Sequence, residues 1–312
     1  MRILFMGTPE FALYSLERLA KTDYDLVGVI TKPSKPKGRG YKVTPTPVKS
    51  LGERLGLKIW EFEHLNTSEV VSLLKRLSLD LIVVVAFGGL LGKEILDIPK
   101  LGVINLHPSL LPKYRGASPI QSVILNGETT TGVTTIWMDE GLDTGDIILQ
   151  ERVEISPEDD AETLTRKLSR IGAEVVIRSI RLIEIGKAPR IKQDERHATY
   201  TQRLKREDGC INWRKSAKEI YNLVRGIPKI GAYTYLDNKM LKIWKVKIEE
   251  RCPKDGVFGE IVEVNERGMV VKTADGFLSI WELQPENKKR MSVQEYLRGH
   301  KVKIGTVLGG PT

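Results

Sequence analysis

Apolar positions in the first half of the chain fall into short solid runs separated by amphipathic stretches. Residues 2–6 read as a buried strand, and Gly7-Thr8-Pro9 behind it offers Thr8 as a cap and Pro9 for the first turn of a helix to about residue 19. Residues 26–30 form the next strand pattern, while 47–55 and 67–77 carry helical periodicity. Residues 81–86 are a continuous, mostly β-branched run of the kind buried on both faces of a sheet, and 103–106 add another strand. Strands alternating with helices predict an α/β, Rossmann-like, mostly parallel sheet, whose ligands gather at the carboxyl ends of the strands. Residues 132–138 and 146–153 then predict two antiparallel strands around a Gly-rich loop that projects Asp143. An amphipathic helix over 160–185 closes this domain, drawn at residues 1–186.

The pattern changes beyond a basic linker at 187–206. Residues 207–312 show turn signals at Asp237-Asn238, 266–268 and Asp275-Gly276 between alternating strands such as 257–264 and 277–283. A helix over 217–225 and another capped by Ser292 complete a smaller, OB-like β-barrel domain. Two domains suit 312 residues with 41% hydrophobic content.

Charge adds a direction. The formal net charge is +9, and it is concentrated. Residues 32–49 hold six basic side chains and no acid, and 187–206 hold seven against Asp194 and Glu195. One such run is ordinarily a solvated loop, but two favour a phosphate-rich ligand. Cys210 and Cys252 form no CxxC pair and His64, His107, His197 and His300 are scattered, so neither a disulfide framework nor a metal is expected. No leader pattern or 20-residue apolar stretch is present, which predicts a soluble, cytoplasmic protein, and a monomer is expected. The first turn, Gly7-Thr-Pro-Glu-Phe, lacks GxGxxG spacing and argues against a dinucleotide.

Chemistry concentrates in Asn105-Leu-His-Pro-Ser-Leu-Leu-Pro-Lys-Tyr-Arg-Gly116, at the carboxyl end of a predicted strand. Asn105 and His107 alternate onto one face. An amide donor and an imidazolium aimed at one oxygen would stabilise the tetrahedral oxyanion of an acyl-type transfer, with Asp143 orienting His107, holding it protonated or relaying protons. Each residue also has a plain reading: a surface histidine, a turn asparagine, an aspartate beside two glycines. A Ser-His-Asp centre through Ser109 is disfavoured, because residues two apart along a turn do not set a hydroxyl against the ring.

The run NLHPSLLPKYRG with the downstream DEGLDTGDI resembles the folate-dependent formyltransferases. The resemblance implies that Asn105, His107 and Asp143 are catalytic and that 10-formyltetrahydrofolate is the co-substrate. It further implies that Ser109, Leu110, Leu111 and Pro112, with Phe87, Gly88 and Leu90 at a strand exit, line the folate site. Where many relatives carry A-Y-G and a proline in the next turn, this chain has Ala86-Phe87-Gly88-Gly89-Leu90. MGTPEFAL, GRGYKVTPTPVK and the C-terminal domain are similar to the branch that formylates the methionyl ester of initiator tRNA for translation initiation. That branch implies tRNA contacts from Lys35, Lys37, Arg39 and Lys42 in the loop and from Lys205 and Arg206 at the second domain. An amino-sugar nucleotide or glycinamide ribonucleotide as acceptor, hydrolysis of the formyl folate, and a non-catalytic tRNA-binding module are the rivals; the first two acceptors leave the basic loop without a purpose.

Overall fold

The computed structural model describes residues 1–37, 42–251, 256–265 and 268–309. Arg39 and Cys252 lie outside the described residues, and so does most of the 266–268 turn. The chain divides into two compact units, one of residues 1–119, 130–155 and 164–202, the other of 120–129, 156–163 and 203–312. Residues 187–202, set apart above by charge, therefore belong to the first unit's contacts.

In the first unit the strands are β1 (Arg2–Gly7), β2 (Asp25–Thr31), β3 (Lys35–Lys37), β4 (Lys42–Thr44), β5 (Ile59–Glu61), β6 (Leu81–Val85), β7 (Val103–His107), β8 (Arg115–Gly116), β9 (Thr130–Trp137), β10 (Ile147–Glu154) and β11 (Tyr200–Thr201). The helices over residues 1–202 are α1 (Leu13–Ala20), α2 (Pro47–Arg54), α3 (Ser68–Arg76), α4 (Lys93–Leu96), α5 (Pro119–Leu125) and α6 (Ala161–Glu184), of which nearly all of α5 and the start of α6 are counted with the second unit. Seven strands pair in the order β10-β9-β7-β6-β1-β2-β5. The stretch from β7 to β5 is parallel, and β9 and β10 add antiparallel pairs at one edge. The run in β6 is buried along its whole length, as its solid apolar pattern requires. Each such side chain contributes about 1.5–3 kcal/mol by leaving water.

Thr46 and Thr67 cap α2 and α3 by accepting from the backbone N–H of Lys49 and Val70. The first turn departs from the predicted helix start. Residues 10–12 form a 3-10 turn before α1, and the Thr8 hydroxyl donates to Phe87 O at 3.4 Å instead of capping. That bond ties the exit of β1 to the exit of β6. Helix α6 lies on the sheet, where Ser179 and Thr135 share a 2.7 Å hydroxyl contact and Arg18 of α1 pairs with Glu174 at 2.7 Å.

The second unit holds α7 (Ala217–Gly226), β12 (Ala232–Leu236), β13 (Lys239–Glu249), β14 (Ile261–Asn265), β15 (Gly268–Lys272), β16 (Phe277–Pro285), β17 (Met291–Ser292) and α8 (Val293–Gly299). Its six-stranded antiparallel sheet runs β12-β13-β16-β15-β14, with β17 on β16. Asp237 and Asn238 both take positive φ, 48° and 59°, as a tight hairpin demands. Capping boxes Ser216/Glu219 and Ser292/Glu295 start the two helices. The strand predicted from residue 257 begins at Ile261, because Glu260 accepts from Val257 N and closes a turn that leaves Val257 and Phe258 exposed. Among the described residues no helix is long and apolar enough to cross a membrane.

Candidate active site

Strands β1, β6 and β7 end side by side, and β7 delivers Asn105 and His107 to one face. The 139–145 loop brings Asp143 to both of them. Asn105 Nδ2 donates to Asp143 Oδ1 at 3.4 Å, and His107 Nδ1 lies 3.5 Å from Asp143 Oδ2. The second separation is beyond a normal hydrogen bond. His107 Nε2 donates to the Tyr114 carbonyl at 2.9 Å, so in the neutral ring the proton sits on Nε2 and Nδ1 is the acceptor facing the carboxylate. Burial pushes the His107 pKa below its ordinary 6.5; the Asp143 carboxylate and the Tyr114 carbonyl oppose this, and the Arg115 charge reinforces it. Burial thus works against the standing imidazolium that a neighbouring carboxylate favours, with that carboxylate 3.5 Å away.

Asp143 sits in left-handed backbone, φ 57°, and is held from several sides. Gly116 N donates to its Oδ2 at 2.8 Å, and Gln193 Nε2 donates to both Asp143 O and Gly145 O, each at 2.8 Å. Gly145 has no room for a side chain, since a Cβ would lie 1.6 Å from Trp137 O. Thr144 Oγ1 and Gly141 N both bond Asp139 Oδ1, at 2.7 and 3.1 Å, closing the loop on itself.

The residues expected at the folate site divide into buried supports and open surface. Phe87 is buried with Leu4, Met6 and Leu91, and Lys32 Nζ lies 4.8 Å from its ring centre. Gly88 and Leu90 are exposed. Ser109 is fully buried and its hydroxyl donates to Lys113 O at 2.6 Å rather than to His107, so the two form no Ser-His pair. Leu111 packs on Ile136 and Ile147, while Leu110 and Pro112 are half-buried.

Of the basic residues, Lys35 pairs with Glu63 at 3.1 Å, and Lys37 and Lys42 are cross-strand partners in the β3–β4 hairpin. Lys205 and Arg206 belong to the other unit and are exposed, Arg206 resting on Met240 Sδ at 3.4 Å. Sequence reasoning missed Arg115, Gln193 and the Tyr114 carbonyl. Arg115 and Tyr114 stand inside the motif already singled out, but nothing in spacing marks Gln193.

A polarising amide, a buried imidazole and a carboxylate, meeting at the carboxyl edge of a parallel sheet, form a centre suited to acyl-type transfer between bound substrates. Residues 1–180 match the formyl transferase family and residues 203–301 match the formyl transferase C-terminal domain, so the chain belongs to the formyl transferase family. Among curated relatives, a methionyl-tRNA formyltransferase of Syntrophus aciditrophicus is 46% identical over 98% of each chain. One of Clostridioides difficile is 47% identical over 99% of this chain and 100% of its own. Among solved structures, the sugar 3N-formyl transferase WlaRD, crystallised with dTDP and 5-N-formyl-THF, is similar with a TM-score of 0.68 at 24% identity, covering 93% of this chain and 99% of that one. A methionyl-tRNA formyltransferase from Clostridium thermocellum gives 0.55 at 18%, covering 80% and 94%. These two likenesses establish the fold.

Proposed function

We infer that this enzyme carries the formyl group of 10-formyltetrahydrofolate to the free α-amine of methionyl-initiator tRNA, giving formylmethionyl-tRNA for translation initiation. The observation that carries the reading is identity of 46–47% to methionyl-tRNA formyltransferases over at least 98% of this chain.

Transfer requires a neutral amine, a partner for the charge developing on the formyl oxygen, and a route for one proton from the amine to the departing folate nitrogen. Asn105 supplies the partner: one N–H rests on Asp143 and the other is left for the oxyanion. A donor in place before charge develops is worth about 2.7–4 kcal/mol. His107 takes the amine proton on Nδ1, since its Nε2–H stays on Tyr114 O. The imidazolium so formed lies beside Asp143, which favours the charged ring until the proton passes to the leaving nitrogen. No covalent enzyme intermediate is needed.

The folate fits the exit of β6. Gly88 and Gly89 are open, with nothing within 4 Å of an added Cβ, and Leu90 is 52% exposed, an accessible backbone edge beside apolar surface that suits a flat heteroaromatic ring. Phe87 is buried at that exit, and Ser109, Leu110, Leu111 and Pro112 are proposed as further folate-site residues on the family resemblance. For the acceptor, Lys37 and Lys42, backbone partners in the β3–β4 hairpin, are proposed phosphate contacts. Arg39, Lys35, Lys205 and Arg206 complete the proposed phosphate contacts.

The test is incubation with 10-formyltetrahydrofolate and methionine-charged initiator tRNA, followed for formylmethionyl product. Parallel arms offer an amino-sugar nucleotide, glycinamide ribonucleotide and water alone. Product on tRNA supports the reading; turnover on another acceptor with none on tRNA overturns it.

A further inference from the structure

We propose that Gln193 is a positioning residue for the transfer step, holding the Asp143 loop in its working conformation, and that buried Arg115 fixes which end of the Gln193 amide faces the loop. The inference rests on the reading of Asp143 as part of the catalytic centre.

An amide side chain carries two chemically opposite ends, and its orientation is set by what each end meets. Arg115 Nε and Nη2 both donate to Gln193 Oε1, at 3.1 and 2.8 Å. The Nε2 end is thereby turned toward the loop, where it donates to the carbonyls of Asp143 and Gly145. Two carbonyls on either side of Thr144 are thus pinned by one nitrogen, which locks the peptide frame that carries the Asp143 side chain. Arg115 is itself immobilised. Its side chain is fully buried, Glu195 accepts from Nη1 and Nη2 at 2.9 and 2.7 Å, and Tyr200 Oη lies 3.1 Å from Nη1. The next residue, Gly116, donates its N–H to Asp143 Oδ2. The Arg115-Gly116 dipeptide therefore grips Asp143 twice, at the carboxylate through backbone and at the carbonyl through Gln193. A left-handed aspartate is held against its backbone preference, so such a residue persists where its surroundings over-determine it.

Gln193 is only partly buried, so its replacement tests position without removing core. Gln193→Glu keeps the acceptor for Arg115 but sets a carboxylate oxygen against two carbonyls; Gln193→Met keeps the length and removes both donors. For both variants kcat is measured together with the KM values for the formyl folate and for charged tRNA, beside Asp143→Asn and the double variant Gln193→Met/Asp143→Asn under single-turnover conditions. The expected result is a fall in kcat of about tenfold to a hundredfold in both single Gln193 variants, with both KM values within about twofold of the parent. In the Asp143→Asn background the Gln193→Met change is expected to lose nothing further, because its effect acts through Asp143. Parent kcat in both Gln193 variants with an inactive Asp143→Asn overturns the positioning role alone. Equal losses in kcat and folate KM, or full additivity in the double variant, also overturn it. Parent turnover in Asp143→Asn removes the reading of the centre, and this inference with it.

Discussion

Substitution of one glycine separates backbone demand from chemistry at this site. Gly116 has φ +106°, outside the left-handed well of L-residues, and an added Cβ would lie 2.5 Å from Thr201 O. That carbonyl cannot easily retreat, since it accepts from Ala117 N at 3.3 Å within the β8–β11 pairing. The strained backbone and the forced contact together are expected to destabilise Gly116→Ala by about 2–4 kcal/mol. Gly56→Ala is the control: φ is +68° and nothing lies within 4 Å of its Cβ, leaving about 1 kcal/mol of backbone preference. At about 2–4 °C per kcal/mol for a domain of this size, Tm should fall by about 4–16 °C for Gly116→Ala and about 2–4 °C for Gly56→Ala. Calorimetry measures the first difference, and formyl transfer at a temperature where both variants are folded measures the second. Gly56→Ala should keep parent kcat, whereas Gly116→Ala should lose about tenfold or more as Gly116 N withdraws from Asp143 Oδ2. A Gly116→Ala protein matching Gly56→Ala in both Tm and kcat would refute the argument that this backbone holds the carboxylate.

Asn105→Ala should reduce kcat by about a hundredfold or more with little change in KM for either substrate, as loss of an oxyanion donor does; a loss confined to KM would assign Asn105 to binding. For His107 the sign follows from burial. The folded pKa lies below 6.5, so below that pH the unfolded chain binds the proton first, and the stability present above about pH 6.5 is lost as pH falls toward the folded value. Urea unfolding between pH 7 and 5 should therefore show a steeper loss in the parent than in His107→Gln, and parallel curves would contradict a neutral buried ring. Replacing Lys37 and Lys42 together by alanine should lower the log–log salt slope of tRNA affinity by about 0.7–0.9 per phosphate contact removed, with folate KM unchanged; filter binding across a salt series measures it, and an unchanged slope would take the hairpin out of the tRNA contact.

Much of the scaffold is legible in the sequence because local chemistry and global fold agree there. The β6 run is apolar on both faces because both faces are covered. Thr46, Thr67, Ser216 and Ser292 cap helices because each side chain can satisfy a backbone donor within its own turn. Asn105 and His107 can be paired from strand alternation alone, and Asp143 from a loop whose glycines admit no other residue. What spacing does not supply is the tertiary hold on Asp143. Gln193 is 50 residues away, and its bond to Asp143 exists only because β11 pairs with β8 and carries the 193–200 segment past Arg115. The downward push on the His107 pKa escapes the sequence for the same reason: a neighbouring carboxylate can be inferred from a motif, but complete burial is a property of the packed unit.

Charge shows the limit most sharply. The basic segment from residue 187 reads as a ligand-facing surface, yet much of its charge is matched within the first unit. Arg190 lies 4.3 Å from the Trp137 ring centre, Lys192 pairs with Asp146 at 2.9 Å and Arg196 with Asp194 at 2.7 Å. Arg190 and Lys192 thereby tie the strap that carries Gln193 to the 137–146 segment, along with the backbone bridge between Ile147 and Ile191, while the Arg196 pair is local to the strap. A count of lysines and arginines cannot distinguish a cation that faces solvent from one already matched by a ring or a carboxylate.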